Sequence, residues 1–207
     1  MTQVIGIGGK LQHGKDVVAD HLVNELGWQK IGMSDALHEI MLVLNPFIPV
    51  QKIKITKRKF LGIKFGEKGE SYTGVIRYAD LVEKVGYVEA KKDSEVRRLL
   101  QVMGTEVGRK MIDTNIWTKA MTKKVRQAKK EGATGVIVTG IRFPNESKAI
   151  KTLEGELWWI ERPGHVTAAG ATTHDSENSL SEDDFEVVII NDGTLNDLRA
   201  KVDDLVD

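Results

Sequence analysis

The sequence has no cysteine, no excess of charge of either sign and no apolar run that approaches the length of a membrane span. The absence of cysteine excludes a disulfide framework and thiolate chemistry. Thirty Lys and Arg residues balance thirty Asp and Glu residues, so strong nonspecific attraction to nucleic acid or to an anionic membrane is not expected. The first residues have the pattern of a core strand and not of a leader, so we expect a cytoplasmic protein.

The length of 207 residues suits a single domain, residues 1–207, with a substantial core. Short apolar runs predict strands at 4–7, 28–33, 135–139, 156–161 and 185–190. Between them, apolar residues at helical spacing predict helices, with helix-start residues at Ser34 and Asp35, Ser94, Asp113 or Thr114, and Asn145. This alternation indicates an α/β fold, a parallel sheet of about five strands covered by helices on both faces.

Two stretches differ from this alternation. Residues 51–77 contain a basic cluster at 52–59 and several glycines, which predicts an exposed hairpin or a mobile insertion. We interpret the cluster as a solvated face, with contact to a nucleotide phosphate or a nucleic acid as the alternative. Residues 162–178 combine small residues with Arg162, His174 and Glu177, which predicts a flexible lid. His174 and Glu177 lack a third ligand at fixed spacing, so a zinc site is not predicted.

The most informative segment is residues 9–16, which read GKLQHGKD between an apolar run and a helical pattern. The spelling fits the phosphate-binding P-loop, G-x-x-x-x-G-K-[ST], except at its last position. Glycines let the backbone bring its N–H groups close to phosphate, and the helix that follows directs its positive dipole end at the same anion. A glycine turn with a helix cap and no ligand is the alternative.

Within this loop we expect Gly9, Lys10, His13, Gly14 and Lys15 to bind phosphate, with Lys15 reaching the outer phosphates as a mobile point charge. Asp16 stands where a Ser or Thr normally offers a hydroxyl to Mg²⁺. A carboxylate at this position can hold the metal directly or through water, but it also repels phosphate.

A second candidate segment follows the apolar run at 135–139 and reads GIRFPNE at 140–146. Ligands of open α/β sheets bind beyond the carboxyl ends of the strands, so Arg142 is expected to emerge near the P-loop. Its planar donors suit a bidentate grip on phosphate oxygens. Asn145 and Glu146 are candidates for function, or for N-cap and helix-dipole partner.

A third candidate segment is the cluster Gln101, Thr105, Glu106 and Arg109 at the end of an amphipathic helical pattern. Arg109 is a candidate for a second phosphate, and Gln101 or Glu106 for a base edge or a sugar. The alternatives are a dipole partner for Arg109 and a solvated Glu106. Trp117 offers an indole face for stacking on a base, although an aromatic residue on a helical stripe is also typical of a core.

Together these segments resemble the bacteriophage deoxynucleoside monophosphate kinases, a branch of the P-loop nucleotide kinases. The matching pieces are 9–16, 100–109 with Trp117, 142–146, 174–177 and 191–194, in order across nearly the whole chain. The pieces GTEVGR and RFPNE are more specific than the P-loop, which many folds share. The Asp at position 16 of the loop is also a point of resemblance to this family and to the phosphomevalonate kinases.

The resemblance implies transfer of the γ-phosphoryl group of ATP to the 5′-phosphate of a deoxynucleotide. It assigns Lys15 and the loop amides to ATP, and Asp16 to Mg²⁺. Arg109, Arg142 and Arg162 would orient the acceptor phosphate or neutralise the transferred group. The remaining expected substrate-binding residues are Asp35, Gln101, Thr105, Glu106, Trp117 and Glu146. A homodimer is a further expectation from the resemblance, and neither a membrane nor a nucleic acid is an expected partner.

One position departs from the family pattern. Family members often have an Asp where this chain has Gly140, so Asp16, Asp35 or solvent would have to take over its part in holding Mg²⁺. Three other hypotheses about function also stay open. They are a phosphomevalonate-kinase-like enzyme, a nucleotide-binding regulator without turnover, and a nucleic-acid-binding module acting through residues 52–59. Gln101, Glu106 and Trp117 suit a base better than an aliphatic acid, which favours the nucleotide kinase.

Overall fold

The structure is a computed structural model that describes residues 2–54, 59–60, 63–64, 71–165 and 179–206. The chain divides into two compact units. The first contains residues 1–34 and 117–207, and the second contains residues 35–116.

The elements alternate between strands and helices along most of the chain. In chain order they are β1 Gln3–Gly8, α1 Lys15–Leu26, β2 Gln29–Gly32, α2 Asp35–Leu44, β3 Phe47–Lys54, β4 Lys59–Phe60, β5 Ile63–Lys64, β6 Ser71–Arg77, α3 Tyr78–Val85, α4 Tyr87–Ala90, α5 Ser94–Gln101, a π-helix Val102–Ile112, α6 Ile116–Lys130, β7 Gly135–Thr139, α7 Pro144–Thr152, β8 Glu156–Glu161, a 3₁₀-helix Glu182–Asp184, β9 Val187–Ile190 and α8 Leu195–Val206.

The first unit is built on a five-stranded sheet in the order β2-β7-β1-β8-β9. β1 lies in the middle and pairs in parallel with β7 on one side and β8 on the other. The outer pairs, β2 with β7 and β8 with β9, are also parallel. The parallel α/β sheet predicted from the sequence is therefore confirmed. All five carboxyl ends lie at one edge, where sheets of this type bind their ligands.

β1 is covered on both faces, which explains its continuous apolar run. Ile5 and Ile7 pack in one buried cluster with side chains of α1 and α8, among them Leu22 and Val202. Gly6 points to the opposite face, where an added Cβ would lie 2.8 Å from Ile150 of α7. Successive strand residues alternate between faces, so helices pack on both sides of the sheet, as predicted. Each fully buried aliphatic side chain stabilises the fold by roughly 1.5–3 kcal/mol.

The second unit has its own core. β3 and β6 pair antiparallel, with Phe47 opposite Arg77. The end of β3 and all of β6 lie within the segment 51–77 that was predicted as an exposed hairpin or a mobile insertion. Met41 of α2, Tyr78 and Leu81 of α3 and Val96 of α5 meet in its buried cluster. The side chains of the basic cluster at 52–59 lie outside the described residues.

Two expectations about α5 need correction. The N-cap is Asp93 and not Ser94, because the Asp93 carboxylate accepts the N–H groups of Glu95 and Val96 at 2.9 and 3.2 Å. Two good capping residues stand side by side here, and local sequence does not rank them. The amphipathic helical pattern that ends in the cluster at 101–109 also includes a change of helix type that the sequence did not predict, since a π-helix begins at Val102.

The last strand is shorter than expected and begins at Val187 instead of Phe185. Phe185 is buried, and an added Cβ at Gly8 would lie 2.2 Å from its ring. Its apolar character therefore reflects packing against the end of β1 and not strand pairing. In the part of the chain that the structure describes, no helix has both the length and the hydropathy that a membrane crossing requires.

Candidate functional site

The loop between β1 and α1 requires glycine at two positions. Gly9 has a φ of +130°, and an added Cβ would lie 2.5 Å from the carbonyl oxygen of Ile160. Gly14 has a φ of +109°, and an added Cβ would lie 2.8 Å from Nδ2 of Asn191. Backbone conformation and close approach both exclude a side chain at these positions. The loop is therefore folded against the ends of β8 and β9, at the carboxyl edge of the sheet.

Lys15 holds a positive charge over this loop. It is the first residue of α1, and its ammonium donates to the carbonyl oxygen of Gly9 at 2.6 Å and to that of Lys10. Lys10 is exposed. The N-terminus of α1 places the positive end of the helix dipole at the same loop. The combination favours an anion at the loop.

Asp16 is exposed in the first turn of α1. One hard oxygen donor beside a phosphate loop fits Mg²⁺, which takes one or two carboxylates and completes its octahedron with phosphate oxygens and water. Within the described ranges, no group of three or more His, Asp or Glu residues is arranged to hold a metal ion. The donor set therefore fits Mg²⁺ bound mainly through phosphate, and does not fit an all-protein metal site.

His13 occupies an unexpected position for a residue of the loop. Its side chain is almost completely buried, and its Nδ1 accepts the backbone N–H of Arg162 at 3.0 Å. Burial lowers the pKa of the imidazole, the nearby Glu161 carboxylate opposes that effect, and the Lys15 and Lys10 ammonium groups add to it. The ring of His13 is thus directed to the end of β8, so a contact of this loop residue with phosphate falls to its main chain.

Asn191 is a residue of the site that sequence reasoning left without a role. Its side-chain amide donates to the carbonyl oxygen of His13 at 3.0 Å, and its backbone N–H donates to the carbonyl oxygen of Glu161 at 2.7 Å. It therefore links the end of β9 to both the loop and the end of β8. The only sequence signal was its place at the start of 191–194, one of the segments that carry the family resemblance.

Arg142 is exposed just beyond β7, which pairs directly with β1. Its backbone N–H donates to Oε2 of Glu146 at 2.8 Å, and the N–H of Phe143 donates to the same oxygen at 3.2 Å. Glu146 is 2% exposed. Phe143 holds the N-cap position of α7 and Pro144 follows it, so Asn145 does not have the N-cap role that was one of its two alternatives. The buried Glu146 carboxylate fixes the turn that carries Arg142.

Arg162 is exposed and follows β8, on the other side of β1. Its main chain is held by His13, as described above. Next to it, the ring of His165 meets the ring of His13 edge to face, with 5.7 Å between the centroids. Most of the predicted lid, including His174 and Glu177, lies outside the described residues.

The third candidate segment lies in the second unit. Gln101 ends α5, and Thr105, Glu106 and Arg109 lie on the π-helix. Thr105 and Arg109 are half-buried, whereas Glu106 is exposed and accepts from the Lys110 ammonium at 2.9 Å. Such a surface pair contributes little stability. π-helical turns are rare and occur frequently at functional sites. Gly104 and Gly108, two glycines inside a helix, were the local sign that this helix is not a regular α-helix.

Two further candidates have different surroundings. Asp35 is the half-buried first residue of α2. Trp117 lies on the buried face of α6 and is 6% exposed, which leaves little of its indole face for stacking on a base. Its surroundings favour packing, the alternative that the helical stripe had also indicated.

Comparison with known proteins gives a consistent result. A model of the deoxynucleotide monophosphate kinase family matches residues 38–202. The uncharacterized protein ORF77 of Ictalurid herpesvirus 1 is 24% identical over 191 residues, which are 92% of this chain and 64% of that protein. The deoxynucleotide monophosphate kinase of Enterobacteria phage T4 is 25% identical over 138 residues, 67% of this chain and 55% of the phage protein. That of Escherichia phage RB69 is 22% identical over 182 residues, 87% of this chain and 70% of the phage protein.

The chain spans less than two thirds of the length of the first two of these relatives. The family model, in contrast, covers most of this chain, from α2 in the second unit to α8 in the first. On that match, the chain belongs to the deoxynucleotide monophosphate kinase family.

Proposed function

We propose that this chain transfers the γ-phosphoryl group of ATP to the 5′-phosphate of a deoxynucleoside monophosphate. Family membership supports the reaction class. The observation that carries the proposal is the loop between β1 and α1. Its glycines at positions 9 and 14 have positive φ angles, and the Lys15 ammonium lies 2.6 Å from the Gly9 carbonyl oxygen, within the same loop. A loop of this kind suits the phosphates of a nucleotide donor.

On the donor side, the main chain of Gly9, Lys10, His13 and Gly14 and the N-terminus of α1 would bind the β- and γ-phosphates. Lys15 would neutralise their charge as a point cation. Asp16 would hold Mg²⁺ directly or through water. When bound, the ion neutralises charge on the β- and γ-oxygens.

On the acceptor side, Arg109 and Arg142 would orient the acceptor phosphate, and Arg162 would add positive charge from the end of β8. An oxygen of the acceptor phosphate forms a bond to the γ-phosphorus, and the bond from that phosphorus to the β-bridging oxygen breaks. The products are ADP and a deoxynucleoside diphosphate. The acceptor oxygen is already anionic, so the reaction needs no general base, and positioning with charge neutralisation supplies most of the catalysis.

Recognition of the nucleoside would fall to polar side chains of the second unit. These are Asp35, Gln101, Thr105 and Glu106. Glu146 would act through Arg142, because its buried carboxylate already accepts two backbone N–H groups. The single kinase domain, the lid at 162–178 and the homodimer stay predictions within this proposal.

A coupled assay with ATP and Mg²⁺ across dAMP, dCMP, dGMP, dTMP and phosphomevalonate tests the proposal. We expect turnover of at least one deoxynucleotide and no turnover of phosphomevalonate. Turnover of phosphomevalonate alone would assign the chain to that class of kinase. Nucleotide binding without turnover of any acceptor would support a regulator instead.

A further inference from the structure

The His13 side chain connects the phosphate-binding loop to the residue that begins the predicted lid. Its Nδ1 accepts the Arg162 backbone N–H at 3.0 Å, across 149 positions of sequence. The ring is 1% exposed. A histidine in an anion-binding loop can contact its ligand with the ring, but this ring is turned away from the surface and towards the backbone of β8.

The connection is part of a closed set of hydrogen bonds. Asn191 donates through its side chain to the His13 carbonyl oxygen at 3.0 Å. It donates through its backbone to the Glu161 carbonyl oxygen at 2.7 Å. Glu161 directly precedes Arg162, whose N–H returns to the His13 ring. These hydrogen bonds therefore link the loop to the end of β8 and to the residue that follows β9.

The hydrogen bonds also assign the state of the ring. Because Nδ1 accepts a backbone N–H, it carries no proton, and the proton of the neutral ring is on Nε2. Nε2 is buried and has no hydrogen-bond partner among the described residues. The Glu161 carboxylate lies 3.4 Å from Nδ1. It would pair with a protonated Nδ1, but the Arg162 N–H that Nδ1 accepts leaves no place for that proton. His13 is thus built into the site as a neutral acceptor.

We infer that His13 is a positioning residue. Its neutral ring fixes the backbone of Arg162 to the phosphate-binding loop, so that the Arg162 guanidinium is held in register with the phosphates that the loop binds. The inference rests on the proposed function, because it gives Arg162 a partner in phosphoryl transfer. It differs from a space-filling role, which any side chain of similar volume would serve.

Two amide variants separate these roles. In His13→Asn the side-chain oxygen takes the position of Nδ1 and can still accept the Arg162 N–H, although the side chain is smaller. In His13→Gln the amide reaches the position of Nε2 and the volume is kept, but the acceptor at Nδ1 is lost. A space-filling role predicts that Gln is tolerated better, whereas the positioning role predicts that Asn is tolerated better.

The experiment measures kcat and the KM for ATP of both variants, alone and combined with Arg162→Ala. We expect His13→Gln to lower kcat by about tenfold or more with a small change in KM, and His13→Asn to retain most of the activity. In the Arg162→Ala background, the kcat values of the two His13 variants should differ by less than about twofold. If His13 acts only through Arg162, the effects of substituting both residues are not additive. Equal kcat values for Asn and Gln, or fully multiplicative effects, would overturn the inference.

A second readout does not depend on activity. Amide hydrogen exchange should find the Arg162 N–H protected in the wild type and in His13→Asn, and unprotected in His13→Gln. Loss of this protection in His13→Gln alone would support the hydrogen bond even if no deoxynucleotide were turned over. Failure of the proposed function is therefore distinguishable from failure of the positioning role. Unchanged protection of the Arg162 N–H in His13→Gln would refute the positioning role of His13.

Discussion

The buried carboxylate of Glu146 accepts the backbone N–H of Arg142 at 2.8 Å. The same oxygen accepts the N–H of Phe143, which holds the N-cap position of α7. One acidic side chain thus completes the start of a helix and fixes the turn that carries an arginine of the candidate site. Stability and positioning are joined at this residue.

Replacing Glu146 with Ala should therefore affect both. Two backbone N–H groups lose their acceptor, and we expect the free energy of unfolding to fall by about 1–3 kcal/mol. Glu146→Gln keeps an acceptor oxygen and should cost less. Urea unfolding measures the stability, and kcat reports the displacement of Arg142. Equal losses for Ala and Gln would show that the hydrogen bonds are not responsible.

Lys15→Ala should abolish most activity without unfolding the protein. The residue is only half-buried and its ammonium bonds to two loop carbonyl oxygens, so its removal opens no cavity in the core. Loss of a cation that stabilises charge on the transferred group should lower kcat by roughly a thousandfold. Lys148→Ala, at an exposed position of α7, is the matched control. Near-normal turnover of Lys15→Ala would refute the assignment of the loop to the donor phosphates.

Arg109→Ala should raise the KM for the deoxynucleotide more than the KM for ATP, because we assign Arg109 to the acceptor phosphate. As a control, Arg98→Ala removes a cation that pairs with Glu95 on the surface of α5 and should change neither constant by more than about twofold. Steady-state kinetics with each substrate varied in turn distinguishes the two. A rise in the ATP constant alone would move Arg109 to the donor side.

Gly140→Asp should lower the Mg²⁺ concentration needed for half-maximal activity, since it introduces a carboxylate at the position where the family resemblance implies one. Gly140 has a φ of +84°, and an added Cβ would come no closer than 3.8 Å to Met33. The cost is therefore backbone strain of about 1 kcal/mol or more, and Asp tolerates the left-handed region better than most residues. Gly140→Ala carries similar strain without the carboxylate. Identical Mg²⁺ dependence of the two variants would count against a metal role at this position.

Stability should decrease below neutral pH partly because of His38. Burial lowers its pKa, against the opposing effect of the Asp35 carboxylate, and its Nδ1 lies 2.8 Å from the Tyr78 hydroxyl. The unfolded chain, with a pKa near the ordinary 6.5, takes up the proton first. Stability is therefore full above that pH and falls as the pH decreases towards the lower pKa of the folded state.

Urea unfolding at several pH values between 7.5 and 5 measures this loss. His38→Asn should reduce the decrease and leave the part contributed by His13, whose pKa is also lowered by burial. A variant with the full wild-type pH dependence would show that His38 does not contribute.

Several parts of the site followed from local sequence. The apolar run before Gly9 predicted a strand, and the strand is apolar because both of its faces are covered. The Gly-Lys pair predicted a turn into a helix. The helix that follows the loop ends at Gly27, whose φ of +65° suits glycine. The helix type at 102–112 was missed because apolar spacing over a few turns does not distinguish α- from π-helical hydrogen bonding.

By itself, the sequence determined the parallel α/β fold, the position of the phosphate-binding loop and the segments that carry the family resemblance, because each depends on residues that are neighbours in the chain. Only the tertiary structure decided which side chains serve the loop. His13 meets Arg162 and Asn191 across 149 and 178 positions, and Glu146 became buried only because α7 packs on the sheet. Local patterns fix backbone conformation, whereas burial and hydrogen-bond partners depend on which strands the fold places side by side.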